Sequence, residues 1–155
     1  MRVPLLALAL AGCATMTSED GGVPSISYET GPCFGACPVY RVTVNADGTG
    51  LFEGRRFTAV AGERYFTLPL SQYRAFIAHL APVRPAQGSV RYSGEACATM
   101  ATDLPSAEVT WRAREGEQSL YFYYGCDMER NRAIAERLNR APGLLPIGDF
   151  IRTPR

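Results

Sequence analysis

Val39-Tyr40-Arg41-Val42-Thr43-Val44-Asn45-Ala46-Asp47-Gly48-Thr49-Gly50-Leu51-Phe52-Glu53-Gly54-Arg55 is the stretch that sets the fold class. Tyr40, Val42 and Val44 alternate with Arg41 and Thr43, the two-residue period of a half-buried strand. Asp47-Gly48 is a hairpin signal, since a tight turn needs residues that tolerate positive φ. Gly50 to Arg55, carrying Leu51 and Phe52, makes the return strand.

The same pattern recurs later. In Ala107 to Arg114, Val109, Trp111 and Ala113 face in, while Glu108, Thr110, Arg112 and Arg114 face out. Glu115-Gly116 turns the chain, and Gln118 to Tyr124 returns with Leu120, Phe122 and Tyr124 on the inner face. Tyr121 and Tyr123 fall on the outer face, where large apolar-bodied side chains require a cover. Ser25 to Thr30, Arg64 to Leu68 and Val90 to Tyr92 are further strands.

Two helices separate and close these hairpins. Tyr73, Phe76, Ile77 and Leu80 fall at helical spacing after Ser71, read as an N-cap with Pro69 just outside; Pro82 and Pro85 end the helix. Asp127 is read as the cap of the second helix, which carries a narrow stripe of Ile134 and Leu138. Arg130, Arg132, Arg137 and Arg140 decorate its solvent side, and Pro142-Gly143 ends it. Leu145, Ile147 and Phe150 then dock on the body. The order strands, helix, strands, helix predicts an α+β fold: an antiparallel sheet built of hairpins with two helices packed on one face.

Length and composition narrow the function. At 155 residues, 46% hydrophobic and 20% charged, the chain is one ordinary globular domain, expected over residues 25–155. The net charge of +1 and scattered basic residues argue against nucleic acid. All 16 basic residues are arginine, which removes lysine Schiff-base and lysine general-base chemistry. Neither Gly-x-Ser-x-Gly nor His-Glu-x-x-His occurs, and the one histidine, His79, lies beside the apolar face of a helix with no nucleophile placed beside it.

The start of the chain reads as an export signal. After Arg2, the apolar run Val3 to Ala11 is shorter than the ~20 residues of a membrane span and suits a signal core. Leu10-Ala11-Gly12-Cys13 resembles the lipobox of bacterial lipoproteins. The resemblance implies cleavage after residue 12, acylation (palmitate) of Cys13, and a flexible tether over residues 13–24. Ala14 in place of Asp after the cysteine implies the outer membrane, periplasmic face. The segment before Cys13 is shorter than the ~15–30 residues usual for a signal, so either the signal is short or the true start lies upstream.

Cys33, Cys37, Cys97 and Cys126 remain, an even number in an exported chain. Four cysteines allow three pairings. Cys33–Cys37 with Cys97–Cys126 is preferred, because a four-residue turn brings Cα atoms within the ~4.4–6.8 Å a disulfide needs. A zinc site would need a second half-site that the sequence lacks. A redox pair would use Cys33 to attack and Cys37 to resolve, although three residues rather than two separate them. Asp103 reads as a turn or cap residue more than as a site carboxylate.

Cys33-Phe34-Gly35-Ala36-Cys37-Pro38-Val39-Tyr40, Asp47-Gly48, and Thr102-Asp103-Leu104-Pro105-Ser106 together resemble a bacterial domain family of unknown function with a C-F-G-x-C-P-x-Y motif. The resemblance runs from about Ile26 to Leu138. It implies the architecture and export, and it singles out Phe34, Gly35, Pro38, Tyr40 and Asp103 as motif residues. Cys97 and Cys126 lie outside the motif, which supports pairing them with each other.

The expected function is a non-enzymatic envelope lipoprotein stabilised by disulfides and held to the membrane by the lipid on Cys13, either binding an envelope protein or peptidoglycan or helping to maintain the envelope, without cofactor or metal. One alternative is a thiol-disulfide protein using Cys33 and Cys37. Another is a glycan- or peptide-binding module using the Tyr121/Tyr123 face beside Arg112 and Arg114.

Overall fold

The structure, a computed structural model, describes residues 24–152. The lipobox, Cys13 and the tether up to residue 23 lie outside the described residues. The elements are β1 (Ser25–Thr30), β2 (Val39–Asn45), β3 (Thr49–Arg56), β4 (Gly62–Thr67), α1 (Leu70–Leu80), β5 (Ser89–Tyr92), β6 (Ser106–Ala113), β7 (Gly116–Tyr123), α2 (Arg132–Arg140) and the short α3 (Gly148–Ile151).

All seven strands form one sheet in the order β4-β3-β2-β1-β6-β7-β5. Every pairing is antiparallel except β5 with β7, a parallel pair at the sheet edge. The fold is α+β, as the alternating patterns require. Register follows the alternation: Phe52, Val42, Tyr28, Val109 and Leu120 are direct partners across five strands, and all five are buried. A one-residue slip would turn that row to solvent, so the pattern fixes the register. The opposite face is polar, with Glu29 paired to Arg41 and Ser27 hydrogen-bonded to Thr43.

The Asp47-Gly48 turn forms as expected. Asp47 Oδ1 accepts from the Thr49 backbone N–H and hydroxyl, and Gly48 has φ +84. A Cβ on Gly48 would come within 2.6 Å of the Leu68 carbonyl oxygen, so the position needs glycine twice over.

The helices cover the apolar face. Tyr73, Phe76 and Leu80 of α1 and Leu138 of α2 are buried against the sheet. Leu145 and Ile147 of the tail are buried too, and the Phe150 ring lies 5.5 Å from that of Phe52.

Three local readings change. Pro69, not Ser71, is the N-cap of α1: its fixed φ of −58° starts the helix, its carbonyl accepts from Gln72 and Tyr73, and Ser71 sits exposed in the first turn. Asp127 does not cap α2. It stands five residues ahead of Arg132 with φ +41, and Asn131 takes the cap position while its amide donates to the Cys126 carbonyl. Arg137 is not on the solvent side. It reaches α1, where its Nη1 donates to the His79 carbonyl at 2.7 Å, and His79 Nε2 donates to the Arg137 carbonyl at 2.8 Å. His79 is thereby a clasp between two helices.

Candidate functional site

The loop between β1 and β2 is closed by a Cys33–Cys37 disulfide with Cα atoms 5.7 Å apart. Closing so short a loop leaves no room for its tip to fold inward. Phe34 stands there 88% exposed, and Gly35 supplies the positive φ (+139) the turn demands. The base of the loop is fixed by Thr30, whose hydroxyl donates to the Pro38 carbonyl at 2.8 Å and accepts from the Tyr40 N–H at 3.1 Å.

A second segment meets this loop. Gly31 N–H donates to the Ser106 carbonyl at 2.8 Å, and Phe34 N–H donates to the Asp103 carbonyl at 3.2 Å. Asp103 is a left-handed turn residue with φ +68, exposed, its carboxylate engaged among the described residues only by the neighbouring Thr102 hydroxyl. It serves the loop through its backbone carbonyl. The two segments that carry the family resemblance thus converge at one end of the molecule, although about 65 residues of chain separate them.

Beneath them, Pro38 and Pro105 border a cavity of about 220 Å³ reached by Tyr28, Tyr40 and Tyr124. Tyr28 Oη donates to the Leu138 carbonyl at 3.0 Å. Tyr124 Oη is buried and faces the Tyr28 hydroxyl without a well-formed hydrogen bond among the described residues. Burial pushes all three phenols above their usual range, so they stay protonated at neutral pH and act as hydrogen-bond groups, not bases.

Tyr124 also forms part of the wall of a larger groove of about 690 Å³ between the Leu104-Pro105 turn and α2. Met128, 54% exposed, and Ala135 give it carbon surface, and Asn139 gives it an amide. Its charges are mixed: Arg132, Glu129 and Glu136 all line it.

The wall holding Leu104 is itself pinned. Cys97–Cys126 ties the segment before β6 to the end of β7, with Cα atoms 5.2 Å apart. Asp127 accepts from the Thr99 N–H at 2.8 Å, the Ala98 N–H at 3.0 Å and the Thr99 hydroxyl at 3.1 Å, and these bonds, Thr99 first, hold its carboxyl below the usual carboxylate range. Tyr123 Oη accepts from Leu104 N–H at 3.4 Å, which places Tyr123 behind the site. Tyr121 is covered differently: the Arg91 guanidinium lies 3.7 Å from its ring centroid.

Phe34, Gly35, Pro38, Tyr40 and Asp103 therefore come together, while Tyr121 and His79 belong to other surroundings. Cys33, Cys37, Cys97 and Cys126 are all in disulfides, and no cluster of three or more His, Cys, Asp or Glu suited to a metal occurs among the described residues. What the end of the molecule offers is shape, one projecting aromatic ring, and a pair of facing buried phenols, Tyr28 and Tyr124.

Sequence reasoning missed Tyr124, Met128 and Asn139. Tyr124 follows the inward alternation but β7 ends at Tyr123, so Tyr124 leaves the sheet for the cavity. A methionine in a polar loop two residues after the half-cystine Cys126 was the available sign for Met128. Asn139 gave none.

No curated protein sequence matches the chain. One family does match, over residues 24–142, the span that holds the whole sheet, both disulfides and both main helices. The chain belongs to the family described as Domain of unknown function (DUF6438).

Proposed function

We propose that this disulfide-stabilised domain is the binding module of an exported lipoprotein, tethered by a lipid on Cys13 at the periplasmic face of the outer membrane. Its partner, an envelope protein or peptidoglycan, meets the Cys33–Cys37 loop and the groove beside Tyr124. One observation carries this reading: Phe34 is held 88% exposed at the tip of a covalently closed loop, beside an open groove of about 690 Å³. A ring that size gains nothing for folding by standing in water, and anchors of this kind dominate binding surfaces. The Leu10-Ala11-Gly12-Cys13 sequence supports the anchoring.

Two experiments test the two halves. Labelling cells with a radioactive fatty acid is expected to mark the chain and to fail with Cys13→Ser; labelling that survives the substitution sinks the lipid anchor. For binding, a photo-crosslinking amino acid at position 34 is expected to trap a discrete envelope adduct. The same probe at Tyr65, 73% exposed on β4, is the control and is expected to trap none. Equal trapping at both positions, or at neither, removes the loop as a binding surface.

A further inference from the structure

A third cleft, of about 360 Å³, lies away from the loop and the groove, between one side of α1 and the ends of β1 and β6. Its lining contains three arginines, Arg74, Arg84 and Arg112, and no carboxylate. Carbon surface comes mainly from half-buried Ile77 and the exposed Ala78 and Ala81, over a floor formed by the edges of Ile26 and Trp111, 4% and 3% exposed.

The three guanidinium groups are not equally compensated. Arg112 is paired with Glu117 at 2.7 Å. Arg84 Nε donates at 2.9 Å to Gln118 Oε1, a neutral acceptor that fixes its direction without cancelling its charge. Arg74 is exposed and makes neither ion pair nor hydrogen bond among the described residues. The groove beside Tyr124 differs, since its lining holds two glutamates beside its one arginine. A concave apolar surface with convergent polar groups and a volume above ~300 Å³ is the form of a small-molecule site. Guanidinium groups select carboxylate or phosphate, which they bind with paired hydrogen bonds.

We infer that this cleft is a second binding site, for an anionic amphiphile. A carboxylate or phosphate head would meet Arg74 and Arg84, and an apolar body would lie along Ile77 and Trp111. The proposal is independent of the partner at the Phe34 loop and of lipidation at Cys13. The ligand chemistry has two sources, a free fatty acid and an anionic membrane phospholipid.

Trp111 is the single tryptophan of the chain and its edge forms part of the cleft floor, so its emission senses a ligand seated above it. The chain from Ala14 onward keeps every described element and both disulfides. Titrating it with decanoate below the micelle concentration is expected to shift Trp111 emission saturably. Decanol, with the same body and no charge, and inorganic phosphate, with charge and no body, are each expected to bind at least tenfold more weakly. The double variant R74E/R84E changes two exposed side chains, so its melting temperature is expected to stay within a few degrees of the parent while decanoate affinity falls at least tenfold. Phe34→Ser is expected to leave it unchanged. Arginine-dependent sedimentation with phosphatidylglycerol vesicles, and not with phosphatidylcholine vesicles, identifies a membrane lipid as the source; decanoate binding without it identifies a free amphiphile. No saturable response to decanoate, equal affinity for decanol or phosphate, or indifference to R74E/R84E overturns the site.

Discussion

At the scale of the residue, the polar groups near the Tyr124 groove divide into satisfied and unsatisfied ones, and substitution separates them. Tyr28 gives its proton to the Leu138 carbonyl, so Tyr28→Phe is expected to cost about 1 kcal/mol, the ordinary net worth of one hydrogen bond. Tyr124 has a buried hydroxyl that faces the Tyr28 hydroxyl without a well-formed hydrogen bond. Tyr124→Phe is therefore expected to cost less stability than Tyr28→Phe. Urea unfolding of the two variants side by side checks the contrast; equal losses refute it. Asp127 is a satisfied carboxylate whose ionised form accepts three hydrogen bonds, and its carboxyl sits below the ordinary 3.8. Because folding lowers that value, the stabilisation is fully present above pH 3.8 and is lost as the pH falls through the lowered folded value. Asp127→Asn is expected to melt earlier than the parent at pH 7, with the gap narrowing as the pH drops below about 4. A gap that stays constant from pH 7 to pH 2 refutes the assignment.

At the scale of the element, the two disulfides close loops of very different length. Cys97 and Cys126 are 29 residues apart, Cys33 and Cys37 only four. Loop-closure scaling gives about 3.5 kcal/mol for the first and about 2 kcal/mol for the second. Paired alanine substitutions read by urea midpoints are expected to follow that order. If Cys33→Ala/Cys37→Ala costs more than Cys97→Ala/Cys126→Ala, the short loop is part of the folded core and not a shaped surface. The elements were legible where one physical rule dominated. Alternation in 39–44 and 107–114 and the Asp47-Gly48 turn gave strands, register and hairpins, because burial on one face admits no other reading. Helix starts were less legible. Ser71 and Asp127 carry good capping chemistry, yet Pro69 and Asn131 hold those positions, since a fixed φ and a tertiary demand on Asp127 outweigh local preference. The site was legible as a motif but not as a place. Phe34, Tyr40 and Asp103 are marked in the sequence, whereas the groove exists only because α2 and the Leu104-Pro105 turn meet around Tyr124, a long-range event with no local signature.

At the scale of the molecule, neither disulfide joins the part of the chain before β5 to the part after it. Cys33–Cys37 lies within the first and Cys97–Cys126 within the second. Their seam is the β1–β6 ladder, which runs from Ser25 opposite Arg112 to Thr30 opposite Ala107, reinforced by the clasp of His79 and Arg137 across the helices. A chain ended at residue 88 keeps β1 to β4 and α1 but loses β6, one of the two neighbours of β1. β1 stays paired with β2, and its other side becomes a six-residue open edge of the kind that pairs with other chains. Such a fragment is expected to aggregate at concentrations where the whole chain does not, as light scattering would show; a soluble, folded fragment would mean the first half is autonomous. The position of β1 has a consequence in time. Of the seven strands of the sheet it is made first, yet it ends in the middle, so the earliest-made piece waits for nearly the latest. Until Ser106 to Ala113 have followed it, a polypeptide emerging N-terminus first, across a membrane as much as from a ribosome, can hold only half a sheet with its open edge facing outward.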